Sequence, residues 1–142
     1  RSDFTEIDLR GSSFLGAKLR SARFIRCDLR GADFRKAELL FADFSGSTLE
    51  GADLREADLR GANLSGCTLR YALLEGAKLT RANLARADLT GTLGLRARQI
   101  LASKNWKKAR FDQGFLKELE KIAASDLSAS RNSSKQISRT PP

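Results

Sequence analysis

The sequence predicts an all-β solenoid of five-residue repeats closed at its C-terminal end by helices, and three observations carry that prediction. Every fifth residue from Phe4 to Leu89 is Leu or Phe without a gap, eighteen positions in register. Two residues before each stands a small residue, mostly Ala, sometimes Ser or Cys, with Ile7 the one large exception. After Leu89 the pattern fails, and beyond Gly94 the apolar residues recur at helical spacing.

The first two observations exclude a regular helix and a straight strand. On a helix, five residues advance an apolar position by about 140° beyond a full turn, so no face stays apolar. On a straight strand an odd period sends successive Leu residues to opposite sides. The backbone must therefore turn once per repeat, with the large residue and the small one before it both pointing inward. Gly follows two residues after the Leu or Phe in half of the repeats (Gly11, Gly16, Gly31 and onward), where the bend calls for unusual φ. Phe recurs at 4, 14, 24, 34 and 44, a spacing of ten. On a coil of about twenty residues that stacks Phe4, Phe24 and Phe44 on one side and Phe14 and Phe34 on the other, with Leu54, Leu64, Leu74 and Leu84 continuing the core.

The repeats Ala52-Asp53-Leu54, Ala57-Asp58-Leu59, Ala62-Asn63-Leu64 and Ala82-Asn83-Leu84 follow the pattern A-(D/N)-L-x-x. In this the sequence resembles the pentapeptide-repeat family. The resemblance implies a right-handed, four-sided parallel β-helix with four pentapeptides per coil, hence about four and a half coils here. It also implies that Asp or Asn before the Leu is a solvated or turn-bonding residue.

The pattern change near residue 93 marks the next unit. Leu95 to Ala102 reads as a short helix. From Asp112, a fitting N-cap, Phe115, Leu116, Leu119, Ile122 and Ala123 form one stripe of a second helix, with Trp106 and Phe111 placed between the helices and the last coil. The run from Gly94 to Phe111 is similar to a C-terminal extension of bacterial and cyanobacterial pentapeptide-repeat proteins. Residues 126–142, rich in Ser, Arg, Lys and Pro, read as a flexible basic tail. The expected organisation is thus a β-helix over 1–92, a helical cap over 93–125 and a tail over 126–142. The chain lacks Met and starts within a repeat, so missing upstream sequence is expected, and the uncapped first coil is expected to serve as an interface, including for self-association.

The chain contains no His, which removes the commonest general base and metal ligand, and no phosphate-loop or dinucleotide fingerprint occurs. Neither catalysis nor a cofactor is expected. No stretch approaches ~18 apolar residues, so no transmembrane segment is expected. Cys27 and Cys67 both occupy the inward small-residue position, forty residues apart with Ser47 between them. Two coils separate them by about 10 Å, too far for a disulfide. They read as buried free thiols, which favour a reducing compartment and so the cytoplasm.

The formal charge of +9 is unevenly placed: residues 1–92 hold 15 Lys/Arg against 13 Asp/Glu, residues 93–142 hold 11 against 4. Outward Arg10, Arg30 and Arg70 share a side with Asp8 and Asp28, and Arg35 and Arg55 lie beside Asp33 and Asp53, an interleaving that reads as solvated weak ion pairs. Leu40 with Phe41, and Tyr71 with Leu73, are apolar departures from the polar exterior and candidate contact spots. Lys104, Lys107, Lys108 and Arg110 around Trp106 form the strongest candidate binding cluster, for an acidic protein, anionic lipid or nucleic acid. The same cations would equally suit a helix C-terminus. The expected function is a non-catalytic protein-interaction or scaffold module. The alternative, a DNA-mimicking, gyrase-interacting protein, is disfavoured by the positive charge.

Overall fold

The computed structural model describes residues 2–139, with side chains through residue 134. Its first ninety residues wind as a square parallel coil. The outward residue before each core Leu or Phe bridges to its counterpart twenty positions on, as in the column Asp3, Arg23, Asp43, Asn63 and Asn83 on one face, and Ser13, Asp33, Asp53, Leu73 and Leu93 on another.

One repeat shows how the backbone is satisfied. The Leu54 amide donates to Leu73 O at 2.8 Å and the Glu56 amide to Glu75 O at 2.9 Å in the following coil, while the Asp53 amide donates to Ala32 O at 2.9 Å in the preceding one. The Ala57 amide closes a turn onto Leu54 O at 3.1 Å. This leaves the Arg55 amide, which donates to the Asp53 carboxylate at 3.2 Å. The Asp/Asn position exists because a short side-chain acceptor there satisfies the one amide that the ladder misses. The third residue of every such turn has positive φ, at all eighteen corners, nine of them Gly. This is the conformation of a type II turn.

The core follows the expected ladder. Phe24, Phe34 and Phe44 have no exposed surface, and Leu54, Leu64, Leu74 and Leu84 almost none. Rings twenty apart stack at 4.8 to 4.9 Å, and rings ten apart meet edge to face, Phe24 on Phe34 at 5.5 Å. Phe4 and Phe14, expected in the core, are only partly buried, because among the described residues no coil lies beneath the first. Ile7 is likewise exposed. Cys27 and Cys67 are buried free thiols. Their Sγ atoms donate to Phe4 O at 2.7 Å and Phe44 O at 2.8 Å. Ser47 in the same column is also satisfied: its hydroxyl donates to Phe24 O and accepts the Cys27 amide at 2.9 Å.

The cap differs from the expectation in two respects. It contains α1 (Ala97–Leu101), a 3₁₀ turn (Trp106–Lys108) and α2 (Gln113–Arg139). First, the parallel ladder does not stop at residue 92: Leu73 pairs with Leu93, Asn83 with Lys104 and Asp88 with Arg110. The segment between solenoid and α2 is therefore a partial fifth coil with α1 inserted at one corner. Second, α2 runs through the boundary placed at residue 126, so the expected tail is helical to Arg139, exposed from 126 to 134; residues 140–142 lie outside the described residues. Between Gly114 and Pro141 no Gly or Pro occurs to end the helix, and Ser, Asn and Arg cost it little.

Packing fixes both helices. The Gln99 amide nitrogen donates to Leu74 O and Ala77 O at 3.0 and 2.8 Å, which docks α1 on the last coil. Phe111, Ile100 and Leu119 are buried between helix and coil, with Phe115, Leu116 and Ile122 against them. The Asp112 carboxylate accepts the Gly91 amide at 3.0 Å, and Arg98 pairs with Asp126 at 2.7 Å. Among the described residues no helix is long and apolar enough to cross a membrane.

Candidate interaction surface

Five Arg residues of the column are locked on neighbouring acids, and the basic cluster of the cap is not. Along the column, Arg10, Arg30, Arg35, Arg55 and Arg60 each close a two-pronged bond on the Asp two residues earlier. For Arg55, Nε and Nη2 lie 2.9 and 2.6 Å from the Asp53 oxygens, and the other four repeat this geometry. Such forks use the planar geometry that Arg would otherwise offer a ligand carboxylate or phosphate. The pairs act on the acids: hydrogen bonds from Arg10 and Arg35 hold the Asp8 and Asp33 carboxyls down at about 2. Asp28, Asp53 and Asp58 are lowered for the same reason.

At the cap, among the described residues, none of Lys104, Lys107, Lys108 and Arg110 makes a direct ion pair, and all four are exposed. They do not stand at a helix C-terminus. Lys104 and Arg110 are the top rungs of two ladder columns, over Asn83 and Asp88, and Lys107 and Lys108 belong to the 3₁₀ turn between them. The Arg86 amide donates to Lys108 O at 3.0 Å, so the exposed corner residue Arg86 joins the cluster, and Arg70 lies on the face below. The carboxylate among them is Asp88. Burial raises its pKa, but bonds from Thr90 and the nearby Arg110 and Arg70 leave it below the ordinary value. The grouping of Arg86 and Arg70 with the cap cations was not legible in the sequence, because the cap segment shifts the ladder offset from twenty to 21 and 22 residues.

Trp106 is partly buried against the core, with the Lys107 ammonium 5.8 Å from its ring centre. Beside it opens a groove of about 240 Å³ lined by Trp106, Lys107, Glu120, Ala123, Ala124 and Leu127. Leu127 is 54% exposed.

The other candidate contact spots lie apart from each other, and Tyr71 adjoins the basic cluster through Arg70. Leu40 is half-buried; Phe41 and Tyr71 are exposed at opposite corners of the square. Each ring lies flat on a glycine of the following coil: a Cβ at Gly61 would be 2.6 Å from Phe41 and one at Gly91 2.6 Å from Tyr71. Arg20 and Arg70 cover the outer faces of these rings, 5.3 and 5.5 Å from their centres. These aromatics are explained by packing over a bare corner. A larger recess of about 360 Å³ along the column is lined by Arg35, Lys36, Arg55, Glu56, Glu75 and Gly76, with Arg35 and Arg55 already forked. Among the described residues no group of carboxylates or thiols is arranged to hold a metal ion.

Known proteins share this architecture. The chain is similar to the pentapeptide repeat protein Rfr23 of the cyanobacterium Cyanothece 51142, at 25% identity over 79% of this chain and 85% of that one, TM-score 0.60. It is also similar to a pentapeptide repeat protein of the Arabidopsis thaliana thylakoid lumen, at 37% identity over 59% of this chain, TM-score 0.43, and spans 55% of that protein's length. No curated protein matches it in sequence. The model of the family "Pentapeptide repeats" matches eight copies over residues 2–39, 22–61, 37–70 and 57–93. With its square coil, positive-φ corners and unbroken Leu/Phe core, the chain belongs to the pentapeptide-repeat family, as a right-handed quadrilateral β-helix with a C-terminal helical cap.

Proposed function

We propose that this chain is a non-catalytic protein-interaction module whose capped C-terminal end, not its column faces, is the binding surface. The observation that carries this reading is the pairing of cations. Five column Arg residues are forked by their own Asp, whereas Lys104, Lys107, Lys108 and Arg110 make no direct ion pair among the described residues. A partner's acids recover their desolvation cost only against cations that are still available. A duplex-mimicking column would need a face of unpaired acids, and Asp8, Asp28, Asp33, Asp53 and Asp58 are each engaged by Arg.

Capture of a partner from cell extract by the intact chain tests this reading. A cap variant with Lys104, Lys107, Lys108 and Arg110 replaced by Gln should lose the partner, and a column variant with Arg35 and Arg55 replaced by Gln should keep it. Equal retention by both would refute the placement. So would a mass in sedimentation that doubles whatever the cap charge, since that would put the contact away from the cap cluster.

A further inference from the structure

We infer that the cap recognises an acidic protein segment that inserts one apolar side chain into the groove between Trp106 and Leu127; this rests on the proposed binding role of the cap. Two adjoining features fit that ligand. The cations Arg86, Lys104, Lys107, Lys108 and Arg110 gather where the ladder ends, with Asp88 on the rung beneath Arg110, and their main chains are held by the ladder and the 3₁₀ turn. The apolar lining of the groove is Trp106, Ala123, Ala124 and Leu127. Lys107 belongs to both, lining the groove and sitting within the basic cluster. An apolar anchor flanked by carboxylates would therefore meet apolar walls and cations at once, the usual division between a buried anchor and its charged surround. Glu120, the carboxylate on the groove lining, sets the orientation: the acids of the ligand lie on the Lys107 side.

The same features argue against the other polyanions. A bilayer needs several apolar groups that protrude, whereas on this groove Leu127 is exposed but Trp106 is partly buried and Ala123 and Ala124 are short. A single nucleic-acid strand needs an open aromatic face for stacking, and the Lys107 ammonium lies over the Trp106 ring. Asp88 and Glu120 also interrupt a continuous phosphate track.

Trp106 is the only Trp in the chain, so its emission reports the groove directly. The probe is a blocked peptide of alternating Glu and Asp with one central Leu, titrated against the full chain. A saturable blue shift of Trp106 is expected. The same peptide with Leu→Ser, or the exposed substitution Leu127→Ser in the chain, should bind about tenfold more weakly. Replacing Lys104, Lys107, Lys108 and Arg110 by Gln should abolish the response. Equal binding of a polyglutamate without the Leu would overturn the groove's role, as would no change in emission up to about 1 mM peptide. Tighter binding of phosphatidylserine vesicles or a short DNA duplex that the cap variant abolishes would overturn the acidic segment while leaving the cap as the binding end. Peptide binding that survives the cap variant would overturn both.

Discussion

The column and the cap obey different rules, and the difference separates what holds this protein together from what it presents to a partner. In the column the same features recur: from Leu19 onward a buried Leu or Phe, a small residue beside it, a positive-φ corner, and in many repeats an Asp or Asn that satisfies the amide the ladder misses. Five of its Arg residues are likewise paired internally, each forked on the Asp two residues earlier. At the cap the periodicity is broken by α1, and cations accumulate without matching acids. A repeat that must be satisfied at every layer leaves little for a ligand; the place where the repeat ends has no such constraint.

The largest expected effect lies in the column core. Phe34→Ala removes a ring without exposed surface, stacked on Phe14 and edge-on to Phe24 and Phe44, and should destabilise the chain by about 3–5 kcal/mol in urea unfolding. Leu127→Ala on the exposed part of α2 should cost less than about 0.5 kcal/mol. Comparable losses at the two sites would erase the distinction between the regions.

The corners give the next effect. Gly31 has open space around its missing Cβ, so Gly31→Ala should cost about 1–2 kcal/mol for the left-handed backbone alone. Gly61→Ala has the same φ but places a Cβ 2.6 Å from the Phe41 ring, so displacement of the ring should add about 1–3 kcal/mol. In a Phe41→Ala background the two Gly substitutions should cost the same. A persisting difference would mean that Phe41 is not seated on Gly61.

These comparisons also show what the sequence could reveal. The column was legible because two constraints recur every five residues and Phe recurs every ten, so Phe24, Phe34 and Phe44 could be placed on named sides before any coordinates. The partial burial of Phe4 depends on having a neighbour beneath it, which no local pattern encodes. The ladder pairing of Lys104 and Arg110 was illegible because α1 interrupts the count, and the reach of α2 because an exposed Ser-rich helix has no apolar stripe to announce it. The first departure arises where an inserted helix interrupts the count, the second where local helix propensity carries an exposed segment.

Acid should act on the column through its forks. The Asp8 and Asp33 carboxyls sit at about 2, held by Arg10 and Arg35, below the ordinary carboxylate value of 3.8. Because the folded value is the lower one, their stabilising contribution is present above about pH 4 and is lost as pH falls toward 2. Urea midpoints should be flat from pH 7 to 5 and then fall. In a chain carrying Asp8→Asn and Asp33→Asn the decline should be shallower. An identical decline in that variant would show that other groups govern the acid transition.

The smallest effect on stability, and the one that bears most on function, is a difference of sign. Replacing Arg35 and Arg55 by Gln removes two bidentate pairs and should lower stability, by about 0–1 kcal/mol for each because they are solvent-exposed. Replacing Lys104, Lys107, Lys108 and Arg110 by Gln removes charges with no direct ion pair among the described residues, close to Arg86. Relief of like-charge repulsion should leave stability unchanged or raise it by a few tenths of a kcal/mol. Added salt screens both terms, so the gap between the two variants should narrow as ionic strength rises. Urea unfolding at low and high salt measures all four quantities in the same chain background. A cap variant destabilised by more than about 1 kcal/mol would mean that these cations hold the cap in place. The cluster would then be part of the scaffold and not the surface it offers.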